Sequence, residues 1–266
     1  MPYIFKEPHR PDPWRVYRRK IRSRVILPYI YLEWLGSWAA WFLGRSVLLE
    51  VLEYCGTLSI LVGVIFYFAG AKDRLEQKHY QAWQVINTAQ GKGGSGGRID
   101  ALQELNADGV ALTGVELTDA FLVKVKLPRA TLDRASLSSA DLREAVLNNA
   151  DIEAADVVSA NLRGADLRNV RFAQSNLRET DFNGADFSGA DLANVSFFGA
   201  DLRNANLANI VNWKSITSMK LANILGCKNP PDGFIDWALA HGAVQIESDD
   251  RWDNLVDAMD TTQPAK

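Results

Sequence analysis

Carboxylates recur through the middle of the chain at a spacing that could support acid–base chemistry or hold a cation. They are separated by multiples of five residues: Asp141, Asp151, Asp156, Asp166, Asp181, Asp186, Asp191 and Asp201. The three histidines (His9, His79 and His241) lie far apart, and no nucleophile–His–acid set is visible. Recurrence at one repeat position instead predicts a structural role, because Asp and Asn bond nearby backbone amides at turns. We therefore expect no catalytic, cofactor-binding or metal-binding residues and no enzymatic activity.

A glycine-rich run, GKGGSGG at residues 91–97, invites comparison with a phosphate-binding loop. Such a loop needs GxxxxGK followed by Ser or Thr, with a strand before it and a helix after it. Here Lys92 is followed by glycine, and a helical pattern precedes the run. A flexible linker is the better interpretation. The two cysteines, Cys55 and Cys227, are far apart and predict no disulfide framework.

The recurring carboxylates belong to a longer pattern with a period of five. A large apolar residue occupies every fifth position from Leu112 to Leu207, twenty times in succession. A small or β-branched residue, often Ala, stands two positions earlier, and Asp, Asn, Ser or Thr usually stands one position earlier. This period is neither the 3.6 of a helix nor the 2 of a strand. Because such short units bury apolar residues only by stacking on their neighbours, the pattern predicts a solenoid.

The repeated unit Ala-(Asp/Asn)-Leu-x-x resembles the pentapeptide-repeat family. It is seen as ADLRE (140–144), ANLRG (160–164), ADLRN (165–169 and 200–204) and ADFSG (185–189). The resemblance implies a mainly β fold, a right-handed quadrilateral β-helix with four repeats to a coil and the central and small residues inside. Twenty repeats would form five coils, with residues twenty positions apart stacked. Phe172, Phe182, Phe187 and Phe197 are expected to crowd the later coils.

The ends of a solenoid need covers, because an open coil leaves backbone unpaired and its core bare. Residues 98–212 are therefore predicted to form the β-helix together with an N-terminal cap, in which Ile99, Leu102 and Leu105 close the first coil. Residues 213–266 are predicted to form a C-terminal helical cap. Trp213, Ile216, Leu221 and Ile224 would lie over the last coil, and a helix that carries Phe234 and Trp237 would follow a turn at Pro230–Pro231.

Two apolar stretches precede the repeats and predict membrane association. Residues 54–71 carry no charge and approach the length of about 20 that a transmembrane helix needs. Residues 25–43 contain Glu33 and three tryptophans, which favour the membrane interface, so this segment is either transmembrane or interfacial. Small residues in both stretches would let helices approach closely: Gly36, Ala40 and Gly44 in the first, and Gly56, Gly63 and Gly70 in the second.

The charge distribution bears on orientation. Residues 1–98 have a net charge of +7, mostly from a basic arm at 1–24, whereas residues 99–212 have −7. Residues 72–97 are expected to form a helix followed by the glycine-rich linker. Basic residues flank the apolar stretches, and only Arg45 lies between them, in the connection 44–53. The positive-inside rule then favours a hairpin with the repeats in the cytoplasm. A single span, with 25–43 interfacial, would place the repeats outside.

Outward-facing positions of the repeats define the candidate partner surface. Arg143, Arg163 and Arg203 share one column, and Val158 and Phe198 share another. Phe121 and Val123 project outward from an early coil. The expected partners are membrane lipid and either another protein or a second copy of the chain, with no nucleic acid.

The leading hypothesis is a non-catalytic scaffold at a membrane, with the bacterial inner membrane expected because the family is most common in bacteria. Two alternatives stay open. The resemblance implies that some family members mimic DNA and protect type II topoisomerases, and the net charge of the repeats is consistent with this. A third class is an accessory subunit of a transport or channel complex, in which Glu33 would be a functional intramembrane acid.

Overall fold

The computed structural model describes residues 9–19, 27–44, 47–88 and 97–260, which fall into two compact units, Met1–Leu75 and Glu76–Lys266. Most of the predicted linker, residues 91–96, and the end of the basic arm lie outside the described residues. The helices are α1 (Trp14–Arg19), α2 (Leu27–Leu43), α3 (Val47–Ala69), α4 (Ala71–Thr88), α5 (Arg98–Ala107), α6 (Phe234–Ala240) and α7 (Asp249–Asp260). The repeats lie between α5 and α6.

The first unit contains one described helix that is long and apolar enough to cross a membrane. This is the segment Val51–Ala69 of α3, and none of it is buried. It overlaps the predicted span 54–71. The earlier apolar stretch forms α2, which has 17 residues and is not among the described helices that are long and apolar enough to span a membrane.

The structure describes residues 9–19 of the basic arm. Trp14–Arg19 forms α1, and Arg10 and Asp12 contact the tryptophan face of α2. The indole Nε1 of Trp34 donates to the carbonyl of Asp12 (2.8 Å), and the ring of Trp14 lies 5.4 Å from that of Trp34. The Arg10 guanidinium is 5.7 Å from the centre of the Trp38 ring. Cation–π and ring contacts therefore hold the arm to α2.

Each repeat of the second unit adopts the same local structure. One residue forms a parallel β-bridge, as Asp141 does with Asn161. A turn follows, in which the amide of Ala145 donates to the carbonyl of Leu142 (3.0 Å). Bridges join residues twenty apart from Glu116 to Val211, so four repeats complete a coil, as predicted. In these coils the sheet consists of isolated bridges and not of strands several residues long.

Apolar side chains fill the interior of the coils. The twenty central residues, from Leu112 to Leu207, are each no more than 2% exposed. The four phenylalanines form one cluster, with neighbouring ring centres 4.9 to 6.5 Å apart. Thr180 takes the place of an inward Ala and donates its hydroxyl to the carbonyl of Val157 (2.6 Å). Each buried Leu or Phe contributes about 1.5–3 kcal/mol relative to its exposed state.

Helices α4 and α5 close the first coil. Leu102 and Leu105 of α5 are fully buried, together with Ile86 of α4, which agrees with the predicted cap. The amide of Lys126 has no earlier coil to donate to, and it donates to Oε1 of Gln103 in α5 (2.9 Å). The helix thus covers the apolar core and also satisfies a backbone group at the open edge.

The stack continues past residue 212, where the sequence analysis ends the repeats. Bridges pair Ser196 with Ser218 and Asp201 with Asn223, at a spacing of twenty-two. A 3₁₀ turn at Trp213–Ser215 accommodates the two extra residues, which break the five-residue pattern. Met219 and Ile224 accordingly lie inside a sixth coil and not over its end. The cover comes later, from Phe234 and Ala238 of α6, which are buried.

The turns are strained at one position. The third residue of every turn, from Gly114 to Asn209, has φ between 53° and 74°, and fifteen of these twenty residues are not glycine. This left-handed conformation costs an L-residue about 1–2 kcal/mol. The ladder holds it in place, because the same residue also donates its amide to the next coil, as Glu144 does to Arg163 (2.9 Å).

Stacking also brings like charges together on one face. Asp151 lies next to Asp133, and the Nη2 of Arg171 contacts both Asp151 and Glu153 (2.6 Å each). Burial of the carboxyl raises the pKa of Asp151 to about 6, and the hydrogen bond and charge of Asp133 add to the shift.

The strained turns predict that Ala154→Gly stabilises the fold. Ala154 has φ 53°, and glycine adopts this conformation without a Cβ penalty, so the free energy of unfolding should rise by about 0.5–1 kcal/mol. The neighbouring buried residue gives the control, because Ala155→Gly removes an interior methyl and should lower it. Urea unfolding of the purified full chain measures both, and a loss of stability in Ala154→Gly equal to that in Ala155→Gly would contradict the turn assignment.

The raised pKa of Asp151 predicts a stability that falls as pH rises from about 4 to about 6, because the folded state holds this proton in a range where the unfolded state has released it. Asp151→Asn should flatten that part of the pH profile and become more stable than the natural chain at neutral pH, by on the order of 1 kcal/mol. Arg168 lowers the pKa of Asp166 through a hydrogen bond, so Asp166→Asn should instead remove a loss of stability on acidification. Thermal unfolding at a series of pH values checks both signs.

Candidate binding surfaces

Because side chains fill the interior of the coils, candidate binding sites lie on their outer faces. The described part of the chain contains no group of three or more His, Cys, Asp or Glu side chains that could hold a metal ion. Six of the eight recurring carboxylates accept from the amide two residues further on, which confirms their predicted structural role. Oδ1 of Asp191, for example, accepts from the amide of Ala193 (3.0 Å). The other two differ, because Asp151 contacts Arg171 and Asp156 accepts from Nδ2 of Asn176 (3.4 Å).

The arginine column is paired with acids of the same face. Arg143 contacts Asp141 (2.7 Å), and Arg163 contacts Asp181 in the next coil (3.2 Å). The guanidinium groups of both remain about half exposed, so they can still receive a partner. The third member of the column differs, because the Arg203 side chain is only 14% exposed. Arg203 is thus largely covered within this chain, and its place in the candidate partner surface stays a prediction.

The apolar residues of the candidate partner surface differ in their exposure. Phe121 is 48% exposed, while Val123 and Val158 are half-buried. Phe198 faces outward as predicted from the register but is only 6% exposed, so its ring is covered within this chain. The Arg178 guanidinium lies 4.6 Å from the centre of its ring. Phe198 is outside the coil yet covered.

Helix α7 covers this part of the solenoid, and the sequence did not place it there. Nη1 of Arg203 contacts Oδ1 of Asp249 (2.5 Å), and the guanidinium lies 5.6 Å from the centre of the Trp252 ring. The indole Nε1 of Trp252 donates to the carbonyl of Leu221 (2.8 Å), and the ring is buried. The sequence feature that could have indicated this contact is a single tryptophan in a strongly acidic helix.

Neighbouring charges and burial shift the pKa values of groups in this contact. The hydrogen bond that Arg203 donates to Asp201 is the largest cause that raises the pKa of Arg203 above its usual value. Burial and then the charges of Asp249 and Asp257 raise the pKa of Asp253 on α7. Burial likewise raises the pKa of Asp181 beside Arg163. Acids are thus crowded where α7 meets the coils.

Two clefts lie on the surface of the second unit. One, of about 210 Å³, opens between the coils and α7, and its lining includes Arg163, Asp181 and Asp253. The other, of about 510 Å³, lies beside α5, and its lining includes Lys126 and Arg129. Both are open to solvent, and the lining of the first is mainly polar while that of the second is mixed.

The glycines predicted to pack membrane helices remain unpacked. A Cβ added at Gly36, Gly56 or Gly63 would meet nothing within 4 Å, and Ala40 and Gly44 are exposed. At Gly70 the nearest atoms belong to the side chain of Arg74 and the backbone carbonyl of Phe66, both four residues away in sequence. Their role in assembly stays a prediction.

Comparison with known proteins addresses the repeats. The family model for pentapeptide repeats matches residues 130–169 and 171–210, in eight copies. No curated protein matches the chain.

Several solved structures align with the chain. Rfr23, a pentapeptide repeat protein from the cyanobacterium Cyanothece 51142, is 23% identical over 46% of this chain and 65% of its own, with a TM-score of 0.21. A pentapeptide repeat protein of the Arabidopsis thaliana thylakoid lumen is 24% identical over 38% of this chain and 66% of its own, with a TM-score of 0.19. Full-length QnrB1, a plasmid-mediated fluoroquinolone resistance protein, is 15% identical over 55% and 78%, with a TM-score of 0.21.

The chain spans about two-thirds of the length of the first two of these proteins. At such TM-scores the structural alignments carry no functional argument, and the assignment depends on the matched repeats and their four-sided coils. Residues 130–169 and 171–210 of this chain therefore match the pentapeptide-repeat family, whose right-handed quadrilateral β-helix agrees with the four-sided coils of the structure.

Proposed function

We propose that this protein is a non-catalytic scaffold, anchored in a membrane by α3, whose β-helix binds a protein partner. One observation carries the anchoring: the segment Val51–Ala69 presents apolar side chains on all sides, and none is buried. Ile60, Phe66 and Phe68 are among its most exposed residues. Such a surface is unfavourable in water and suited to hydrocarbon.

The β-helix supports the binding part of the proposal. Its backbone ladder and filled core make it rigid, and a preorganised surface loses little conformational freedom on binding. Its outer faces carry columns of side chains at a regular spacing, including the half-exposed Arg143 and Arg163. We place the protein in the bacterial inner membrane with the repeats in the cytoplasm, on the basis of the basic residues that flank the apolar stretches.

The tryptophan face of α2 supports a position near the lipid headgroups, because tryptophan and arginine both favour the membrane interface. The topoisomerase alternative has less support. Much of the acidic charge of the repeats is paired with arginine of the same face, as in Asp141–Arg143 and Asp166–Arg168. Glu33 is exposed on α2, and the transport-subunit alternative stays a hypothesis.

Anchoring predicts that charges in α3 release the protein from membranes. A charged side chain at the centre of a spanning helix costs about 2.5–3.5 kcal/mol, so the double variant Leu61→Glu/Ile65→Glu should move to the soluble fraction. Alkaline extraction of membranes, followed by detection of the full chain, measures this. The matched control, Phe121→Glu/Val211→Glu, alters two exposed apolar residues of the repeats and should stay with the membrane. Recovery of the natural chain in the soluble fraction would refute the anchor.

The proposed orientation predicts that the repeats are shielded in intact cells. In a Cys55→Ser/Cys227→Ser background, Ser139→Cys adds one exposed thiol on a turn of the β-helix. A membrane-impermeant maleimide should label it only after lysis. Labelling of intact cells with the outer membrane permeabilised would place the repeats on the opposite side. An arm cysteine, His9→Cys, reports whether the two ends share a compartment.

A further inference from the structure

We infer that the coil surface beneath α7 is a docking site for an acidic amphipathic helix of a protein partner, and that α7 occupies it as an internal ligand that the partner displaces. The site is the α7-binding groove, formed by Gly199, Arg203 and Leu221. This inference rests on the proposed function in one respect, namely that the β-helix binds a protein.

The contacts define which helix the groove accepts. Asp249, Trp252 and Val256 stand at positions i, i+3 and i+7, so they share one helical face. Asp249 contacts the Arg203 guanidinium, and Trp252 lies against that guanidinium and donates to the Leu221 carbonyl. Helix-in-groove recognition uses anchors at this spacing, and tryptophan and arginine are common among residues that dominate binding energy.

The absence of a side chain on one coil residue creates the space for the helix. A Cβ at Gly199 would lie 3.1 Å from Cγ1 of Val256 and 3.3 Å from Glu179. The helix therefore approaches the backbone of the coil closely. Because Gly199 also has φ 61°, a turn residue of the fold here serves a contact surface as well.

Charge determines the chemistry of the occupant. Helix α7 carries Asp249, Asp250, Asp253, Asp257 and Asp260 against one Arg251, a net charge of −4. It lies beside a column that contains Arg163 and Arg203. The cleft of about 210 Å³ between Arg163 and α7 is lined by acids of the coils and of α7, including Asp181 and Asp253. A partner helix that keeps the equivalents of Asp249 and Trp252 but has no acid in place of Asp253 would avoid this crowding of like charges.

The contacts of the internal helix described above come from the face that carries Asp249, Trp252 and Val256. The helix has twelve residues, too few to be a stable helix alone, and four residues separate it from the bridge at Val244. Leu255 on its outer face is 40% exposed. Mutual repulsion among its acids, which helps to raise the pKa of Asp253, further weakens its hold. Segments with few buried contacts open most readily.

Binding of a synthetic peptide to the purified full-length protein in detergent tests the inference. The probe is a fluorescent peptide of residues 247–260, ESDDRWDNLVDAMD. Trp252→Ala in the protein should empty the groove, so this variant should bind the peptide on the order of ten-fold more tightly than the natural chain does. A peptide with the same Trp→Ala change is the control probe and should not bind.

Substitutions in the α7-binding groove test whether Arg203 binds the peptide. Added to Trp252→Ala, Arg203→Ser should abolish binding, whereas Arg143→Ser, three coils earlier in the same column, should leave it unchanged. Because Asp201 is buried and would lose its partner, thermal unfolding is measured alongside. Arg203→Lys keeps the charge but loses the bidentate geometry and the stacking, and it should weaken binding without unfolding the protein.

Three results would overturn the inference: no binding by a folded Trp252→Ala protein, binding that survives Arg203→Lys unchanged, or a natural chain that is a dimer and that the peptide dissociates. The last would assign the groove to α7 of a second copy. If the peptide fails to bind while the protein remains in membranes, the docking site is refuted and the anchor stands. If it binds to a protein that fractionates as soluble, the anchor is refuted and the docking site stands.

Discussion

The stacking of apolar residues at intervals of twenty is the interaction on which the rest of the structure depends. A single repeat has one Leu or Phe and one small residue to bury, and it can do so only against the coils before and after it. Closing each coil requires four turns, and every turn places its third residue in the left-handed region. The fold accepts this strain because the inward residues and the backbone ladder outweigh it at every level of the stack.

The same register decides the outer surface. Since residues eighteen to twenty apart become neighbours, the charge of each face depends on which residue types recur there. On one face the result is Arg171 between Asp151 and Glu153, and on another it is Arg163 beside Asp181. The net charge of the segment is therefore a poor guide to its partners, because ion pairs within the solenoid decide which of its charged groups remain unpaired on each face.

The ends of the solenoid are treated differently from its faces. Helices α4 and α5 close one end and α6 the other, and these helices bury Ile86, Leu102 and Phe234 in the core. Helix α7 covers no end and lies on a face, where one tryptophan and one aspartate meet Arg203. Its position on an outer face is what distinguishes a candidate binding site from a cap.

The sequence by itself predicted the solenoid and the first cap, because units of five residues bury their apolar side chains only by stacking on their neighbours. The four repeats to a coil were implied by the resemblance to pentapeptide repeats. The sequence also indicated the apolar helix α3, because an uncharged apolar run of that length is uncommon in soluble proteins. The position of α7, the burial of Arg203 and Phe198, and the sixth coil were decided by the tertiary structure. Two inserted residues at Trp213–Ser215 hid the last coil from the periodicity. The contacts of Trp252 join residues more than thirty positions apart, and nothing local in the sequence specifies such a pairing.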